Sequence, residues 1–279
     1  MEPWIETYRG AVSPWETDVT EHFTVAFYFD RIAMAEAALA DRLGLLDRLR
    51  AGGFTRRYDV RYARELRAGG AFHIESAALR GGDGLRFGHR FVDSVTGEAI
   101  TWFDVRWDGI TANLPDGSLA TEWDGPEFEA RADPQDLTRL VPTAAGRLQP
   151  SDLDEFDRLG LCGLIHKFTD SSVQIGAAIG LTADYIKSAR RGFSTFEFRV
   201  VISGVLRLGD VYRNRTGIAH LGNSSLRFLH VMSDGDGHEV ARLGQYGVQL
   251  DLDKRRPAGL APELRERAER LVLPPDTGA

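Results

Sequence analysis

The sequence predicts an α+β protein in which one unit, a long buried helix followed by an antiparallel sheet, occurs twice. Three observations carry this expectation. From Phe23 to Leu39 apolar side chains fall on almost every helical face, among them Phe23, Phe27, Phe29, Ile32, Met34 and Leu39, whereas a surface helix shows a single apolar stripe. Behind the helix, strand-like runs alternate with glycine-rich turns, the spacing of a meander. The same order then returns downstream at a nearly constant displacement.

The elements follow in order. Tyr8–Thr17 reads as a strand leading into the helix, and Gly44 with Gly52-Gly53 closes the helical region. The runs 54–66, 72–79, 85–92 and 98–107 read as strands, separated by Gly69-Gly70, by 81–84 and by 94–97. From 110 to 147 the pattern fades into a connector marked by Pro115, Pro126, Pro134 and Pro142, with a helical turn at 136–140. The repeat then begins. Asp18 returns as Asp157 and Gly53-Phe54 as Gly192-Phe193, both displaced by 139 positions; 66–69 returns displaced by 140 and 85–89 by 141. The second copy is expected to run strand (148–156), helix (160–180) and further strands to about 249, before a surface helix over 262–272. Domain boundaries are accordingly 1–109, a connector at 110–147, and 148–279.

A set of short motifs carries a resemblance. Tyr8-Arg9-Gly10-Ala11-Val12, Pro14 to Asp18, then His22, Tyr28 and Gly44-Leu45, with Leu250-Asp251-Leu252 near the end, resemble the acyl-CoA thioesterases of the 4-hydroxybenzoyl-CoA thioesterase type. The resemblance covers nearly the whole chain outside the connector. It implies a tandem (double) hotdog fold, each half a central helix wrapped by an antiparallel sheet. It also implies an acyl-CoA or acyl-carrier-protein substrate, no cofactor, and further pairing into a homo-oligomer. In that family an Asp precedes a Gly-His-x-Asn segment at the head of the central helix. Here Glu21 stands for the glycine and Thr24 for the asparagine, and the acid that the family often carries further into that helix is missing at about Ala33. The second copy has Asp157 and Gly160, Leu161 in place of the histidine, and Asp170 within its helix.

The residues allow a specific chemistry. Thioester hydrolysis needs a nucleophile or an activated water, and donors for the oxyanion that develops. Asp18 is the candidate base or nucleophile, His22 and Thr24 lie beside it, and helix-start amides are the candidate donors. Spaced i, i+4, Asp18 and His22 share a helix face if the first turn begins near Asp18. The plainer reading makes Asp18 an N-cap. Asp157 and Asp170 are the second copy's candidates. Ser224, Ser225 and Arg227, between two strands, are candidates for contacting coenzyme A, or else a polar hairpin.

Other residues are read as structural. Glu36 is taken for a solvated position on the helix, His89 and His230 for packing, Asp234–Gly237 for a turn, and Cys162 for a small core residue rather than a thiolate paired with His166. Phe27, Tyr28 and Met34 either line an acyl pocket or belong to the core.

Composition narrows the class. Lys and Arg total 34 against 41 Asp and Glu, a net charge of −7, which disfavours nucleic acid and anionic membrane as partners. One cysteine excludes an internal disulfide, and the start MEPWIETYRG lacks the pattern of a secretory leader, so the expected location is the cytoplasm. Neither a Gly-x-Ser-x-Gly elbow, nor a phosphate loop, nor metal-spaced His/Cys is present. Two rivals remain: a hotdog dehydratase or hydratase, whose usual Asp-x-Asn-Pro-x-His is missing, and a non-catalytic acyl-CoA-binding protein.

Overall fold

In the computed structural model, residues 3–18, 21–81, 84–110, 114, 120–129 and 131–274 are described. Gly82 and Asp83, which the sequence marks as turn residues, and Pro115 of the connector lie outside them. The chain forms two compact units. The first comprises Met1–Phe128, Gln149–Ile165 and Val201–Leu208, and the second Glu129–Leu148, His166–Val200 and Gly209–Ala279.

The first copy opens with β1 (Ile5–Ala11) and a 3-10 turn at Pro14–Glu16. Helices α1 (Val25–Arg42) and α2 (Leu46–Ala51) follow, then β2 (Thr55–Tyr62), β3 (Ala71–Leu79), β4 (Leu85–Asp93) and β5 (Ala99–Asp108). These strands form an antiparallel sheet in the order β1-β3-β4-β5-β2. The short β6 (Ala120–Thr121) runs parallel to the end of β3. Helix α1 packs on the sheet through aromatic rings. Phe29 meets Phe103 edge-on with centroids 5.1 Å apart, and Tyr28 lies 5.0 Å from Phe91. Burying each such ring contributes about 2–3 kcal/mol, which fixes the helix on the sheet.

Helix α1 is not buried all round. Met34, Ala38 and Asp41 face outward, positions three and four apart that form one stripe. Glu36, expected in solvent, is instead buried among the core residues. Helical geometry explains it. Glu36 lies seven residues after Phe29 and four after Ile32, on the face that meets the sheet.

The second copy repeats the order. β7 (Val141–Arg147), a 3-10 turn at Pro150–Asp152, α3 (Leu161–Ile179) and α4 (Ala183–Ala189) precede β8 (Arg191–Ile202), β9 (Val211–Leu221), β10 (Ser225–Ser233) and β11 (Glu239–Asp251). Its sheet runs β8-β11-β10-β9-β7. The short β12 (Arg256–Pro257) adds to β11, and α5 (Pro262–Glu269) buries Leu264 and Ala268. Its first strand therefore lies at 141–147 and not at 148–156. Pro142, Ala144, Ala145 and Gly146 hide it in the sequence, since proline is tolerated only where a strand forms a sheet edge. β7 pairs with β9. The helical turn expected at 136–140 is a short turn held by Asp136 Oδ1, which accepts from Thr138 N at 2.9 Å.

Among the described residues, no helix is long and apolar enough to cross a membrane.

Candidate functional site

A loop, not a helix, brings Asp18 and His22 together. Helix α1 starts at Val25 with Thr24 as its N-cap, so the i, i+4 pair does not occupy a first helical turn. Asp18 N donates to His22 O at 2.9 Å, and His22 N donates to Asp18 Oδ1 at 3.2 Å. Glu21 closes this loop at φ 65°, in the left-handed region where a side chain meets its own backbone. That is the position where the related motif carries glycine. Asp18 is exposed and caps the loop; it is not the N-cap of α1.

The neighbours of this pair are polar. His22 Nε2 lies 3.0 Å from Glu65 Oε2 and 2.9 Å from an Arg67 guanidinium nitrogen. As an imidazolium it donates to Glu65, and as the Nδ1–H tautomer it accepts from Arg67, so one atom has two alternative partners. Thr24 Oγ1 donates to Glu16 O at 2.6 Å, which leaves α1 without a side-chain cap. The amides nearest His22 are also taken. Phe23 N donates to Leu66 O at 2.8 Å and Thr24 N to Glu16 O at 2.9 Å. The amides that no carbonyl of their own helix reaches are those of the first turn proper, beginning with Val25 and Ala26. Any oxyanion donors at this helix head are therefore the amides from Val25 onward and not those beside His22.

The second copy has the same loop with different chemistry. Asp154 N donates to Arg158 O at 2.7 Å, and Asp157 N donates to Asp154 O at 3.1 Å. Arg158 N donates to Asp154 Oδ1 at 3.3 Å. Bond for bond, Asp154 stands where Asp18 stands and Arg158 where His22 does, a displacement of 136 and not 139. Asp157, at φ 57°, is the counterpart of Glu21; it is an exposed turn residue and not the repeat of Asp18. The acid that does repeat is occupied, because Arg158 Nε donates to Asp154 Oδ2 at 3.0 Å. Arg158 is itself buried and donates to Leu49 O at 2.9 Å. Asp170 lies on the exposed face of α3.

Sequence reading missed the buried carboxylate of the first copy. Glu36 Oε2 accepts from the Tyr58 hydroxyl at 2.9 Å and Oε1 from Trp107 Nε1 at 2.6 Å. Burial holds the Tyr58 hydroxyl well above its usual range, with Arg56 opposing that shift and Glu36 adding to it. The signal was available in the helical spacing that puts Glu36 beneath Phe29 and Ile32.

The remaining candidates fall as follows. Arg227 is buried, its guanidinium donating to Ala132 O at 2.8 Å and to the Asp133 carboxylate, and it lies over the Tyr246 ring. Ser224 and Ser225 are half-buried at the turn before β10, where Gln249 N donates to Ser224 O and Gly222 N to Ser225 O. Cys162 is half-buried and burial pushes its thiol up to about 11, the opposite of an activated thiolate. His89 and His230 are wholly buried. Asp234, Asp236 and His238 cluster closely enough for a cation, yet Asp234 Oδ1 accepts the amides of Asp236 and His238 at 3.0 and 2.9 Å, as a tight turn requires. Tyr28 is buried and accepts from Leu66 N at 3.1 Å, Phe27 is half-buried, and Met34 is exposed.

No family model matches the sequence, and no curated protein matches it. Solved structures do match the fold. An acyl-ACP thioesterase from Bacteroides thetaiotaomicron superposes with a TM-score of 0.63 at 11% identity, over 86% of this chain and 96% of that one. The 12:0-ACP thioesterase from Umbellularia californica superposes with a TM-score of 0.57 at 16% identity, over 90% of this chain and 93% of that one. The likeness spans both copies of the repeat and nearly the full length of each relative. This chain has the double-hotdog fold.

Proposed function

We propose that this protein hydrolyses acyl thioesters of coenzyme A or of an acyl carrier protein, with Asp18 as base or nucleophile. The observation that carries the reading is the loop before α1, in which the exposed Asp18 carboxylate accepts the His22 backbone amide, on a fold shared with acyl-ACP thioesterases. Asp18 takes a proton from water, or attacks the carbonyl carbon itself. The developing oxyanion turns toward the positive end of α1, where the first-turn amides of Val25 and Ala26 point. His22, poised between Glu65 and Arg67, orients the attacking water or donates to the thioester oxygen. The chemistry calls on no cofactor. Asp157, Asp170 and the Ser224–Arg227 turn have no part in this reading. Thr24 has only a structural part, since its hydroxyl is bonded to Glu16 O.

One observation favours a second reading, a protein that holds acyl-CoA without cleaving it. Thr24 spends its hydroxyl on the preceding turn, and the amides closest to His22 are bonded. Free-thiol release from a panel of acyl-CoAs and acyl carrier proteins separates the two. Turnover of at least one substrate supports hydrolysis. Tight retention of acyl-CoA with no thiol released makes the hydrolase reading wrong and leaves the binding protein.

A further inference from the structure

Both copies contain a buried hydroxyl relay that ends on a histidine. In the first, Thr7 Oγ1 lies 2.6 Å from Ser76 Oγ, which lies 2.6 Å from His89 Nδ1. In the second, Thr143 Oγ1 lies 2.8 Å from Thr216 Oγ1, which lies 2.8 Å from His230 Nδ1. The far end of each relay is a carbonyl, which can only accept: Thr7 Oγ1 donates to Ile74 O at 3.3 Å and Thr143 Oγ1 to Asn214 O at 3.4 Å. Satisfying these groups in order sends each proton away from the ring. The imidazole must then donate from Nδ1, and its Nε2 keeps a lone pair.

What that lone pair faces differs between the copies. His89 Nε2 is buried with no hydrogen-bond partner among the described residues. His230 Nε2 lies 3.3 Å from Ser172 Oγ. In the second copy the partner comes from α3. Counting from the first residues of α1 and α3, Ser172 occupies the place that Glu36 holds in the first copy. Ser172 is half-buried. At rest that hydroxyl has two acceptors besides the ring, Gln245 Oε1 at 2.6 Å and Phe168 O at 3.0 Å. Of these, the ring nitrogen is the one that can remove the proton. Gln245 Oε1 also lies 3.4 Å from Nε2, a longer contact than the Nδ1–Thr216 bond that sets the tautomer.

We propose that Ser172 and His230 form a nucleophile–base pair, a second acyl-transfer centre in this chain, with Thr216 and Thr143 as positioning residues that hold the ring's tautomer. The proposal rests on the hydrolase reading for its substrate, an acyl thioester, but not for its geometry. Ser172 Oγ attacks the carbonyl carbon while its proton passes to His230 Nε2. The C–S bond breaks, and the leaving sulfur takes that proton to become a free thiol. Water then attacks the acyl-serine ester, one of its protons returns through His230 to Ser172 Oγ, and a carboxylic acid is released. Burial lowers the His230 pKa to about 4, with Gln245 opposing the shift, so the ring is neutral at pH 7 and available as an acceptor.

The test is covalent labelling of the full chain by a fluorophosphonate at pH 7.5, located by peptide mass spectrometry. Thiol release from acyl thioesters is measured in parallel. The expected adduct is on Ser172. It disappears in Ser172→Ala, and the labelling rate falls by about 10²–10⁴-fold in His230→Gln, the range of a lost general base. Thr216→Val slows labelling and Thr216→Ser restores it, a rescue that simple packing would not produce. Ser172→Cys keeps a nucleophile; its new thiol is alkylated by iodoacetamide faster than in the same variant carrying His230→Gln, and circular dichroism confirms folding. Labelling of Ser172 without thiol release from any substrate keeps the pair and sinks the hydrolase reading. Thiol release with no adduct on Ser172 overturns the pair and leaves hydrolysis to Asp18. Neither adduct nor release defeats both.

Discussion

At the scale of single residues, the most consequential side chain outside the helix-head loop is Glu36. Its carboxylate satisfies two buried donors, Tyr58 and Trp107, and leaving such groups unpaired costs about 1–3 kcal/mol each. Glu36→Ala is therefore expected to lower unfolding stability by about 3 kcal/mol in urea titration, and Glu36→Gln, which keeps an acceptor, by clearly less. Equal losses in the two variants would show that the hydrogen bonds are not what Glu36 contributes. Cys162 offers a second check. With its thiol pushed up to about 11 by burial, it should react with iodoacetamide at pH 8 far more slowly than a thiol in the urea-unfolded chain; equal rates would contradict that environment. The sequence made Cys162 legible as a small residue drawn into the packing, but it placed Asp18 and His22 on one helical turn where the chain forms a loop before α1. It misread Glu36, because a charge on a helix was taken for solvent exposure although the spacing to Phe29 and Ile32 places it on the buried face.

At the scale of elements, the helix-head loop decides how the two copies correspond. Each loop turns through a left-handed residue, Glu21 or Asp157, and that shared geometry aligns the copies at 136. Matching aspartates by identity gives 139. The sequence repeat was real in the strands, but residue identity slid by three positions at the loop, because an Asp occupies the turn position in one copy and the pairing position in the other. The loop also yields a prediction. Glu21→Gly should keep or raise stability, since glycine adopts φ 65° without a side-chain clash. Glu21→Val should destabilise by about 1–2 kcal/mol, the cost of a left-handed residue made worse by β-branching. Thermal unfolding of both variants measures this, and a Val variant as stable as the Gly variant would mean that the loop is not strained. β7 stayed hidden for a related reason: small residues and Pro142 leave no alternating pattern on an edge strand.

At the scale of the whole molecule, the double-hotdog architecture was legible because helix burial, strand periodicity and duplication all point the same way. The chemistry was less so. It depends on which amides and hydroxyls are already bonded, and no sequence pattern records that. The fold does set a pH response. Burial lowers His89 to about 3 and His230 to about 4, below the ordinary value of 6.5 they return to on unfolding. The folded state thus holds both rings neutral, while the unfolded chain takes up protons below pH 6.5. Their contribution is fully present above that pH and declines as the pH falls toward 4 and then 3, on the order of 3 kcal/mol for His230 and 5 kcal/mol for His89 when complete. Urea midpoints should therefore fall between pH 7 and pH 4.5, and the fall should be shallower in His89→Gln. A variant with the wild-type slope would contradict the assignment.

The central claim is that the Asp18 carboxylate does the work of thioester hydrolysis. Its most direct measurement is kcat/KM for thiol release from the best acyl thioester in a Ser172→Ala background, which removes the second centre, with Asp18 intact and with Asp18→Asn. The side chains are nearly isosteric, and Asp18 Oδ1 accepts the His22 amide in the loop, a role the asparagine oxygen can also fill. A fall of about 10²–10⁴-fold with unchanged thermal stability is the result predicted for a lost base. Turnover that survives the substitution at the rate of the Asp18-intact chain would contradict the claim and move hydrolysis away from the head of α1.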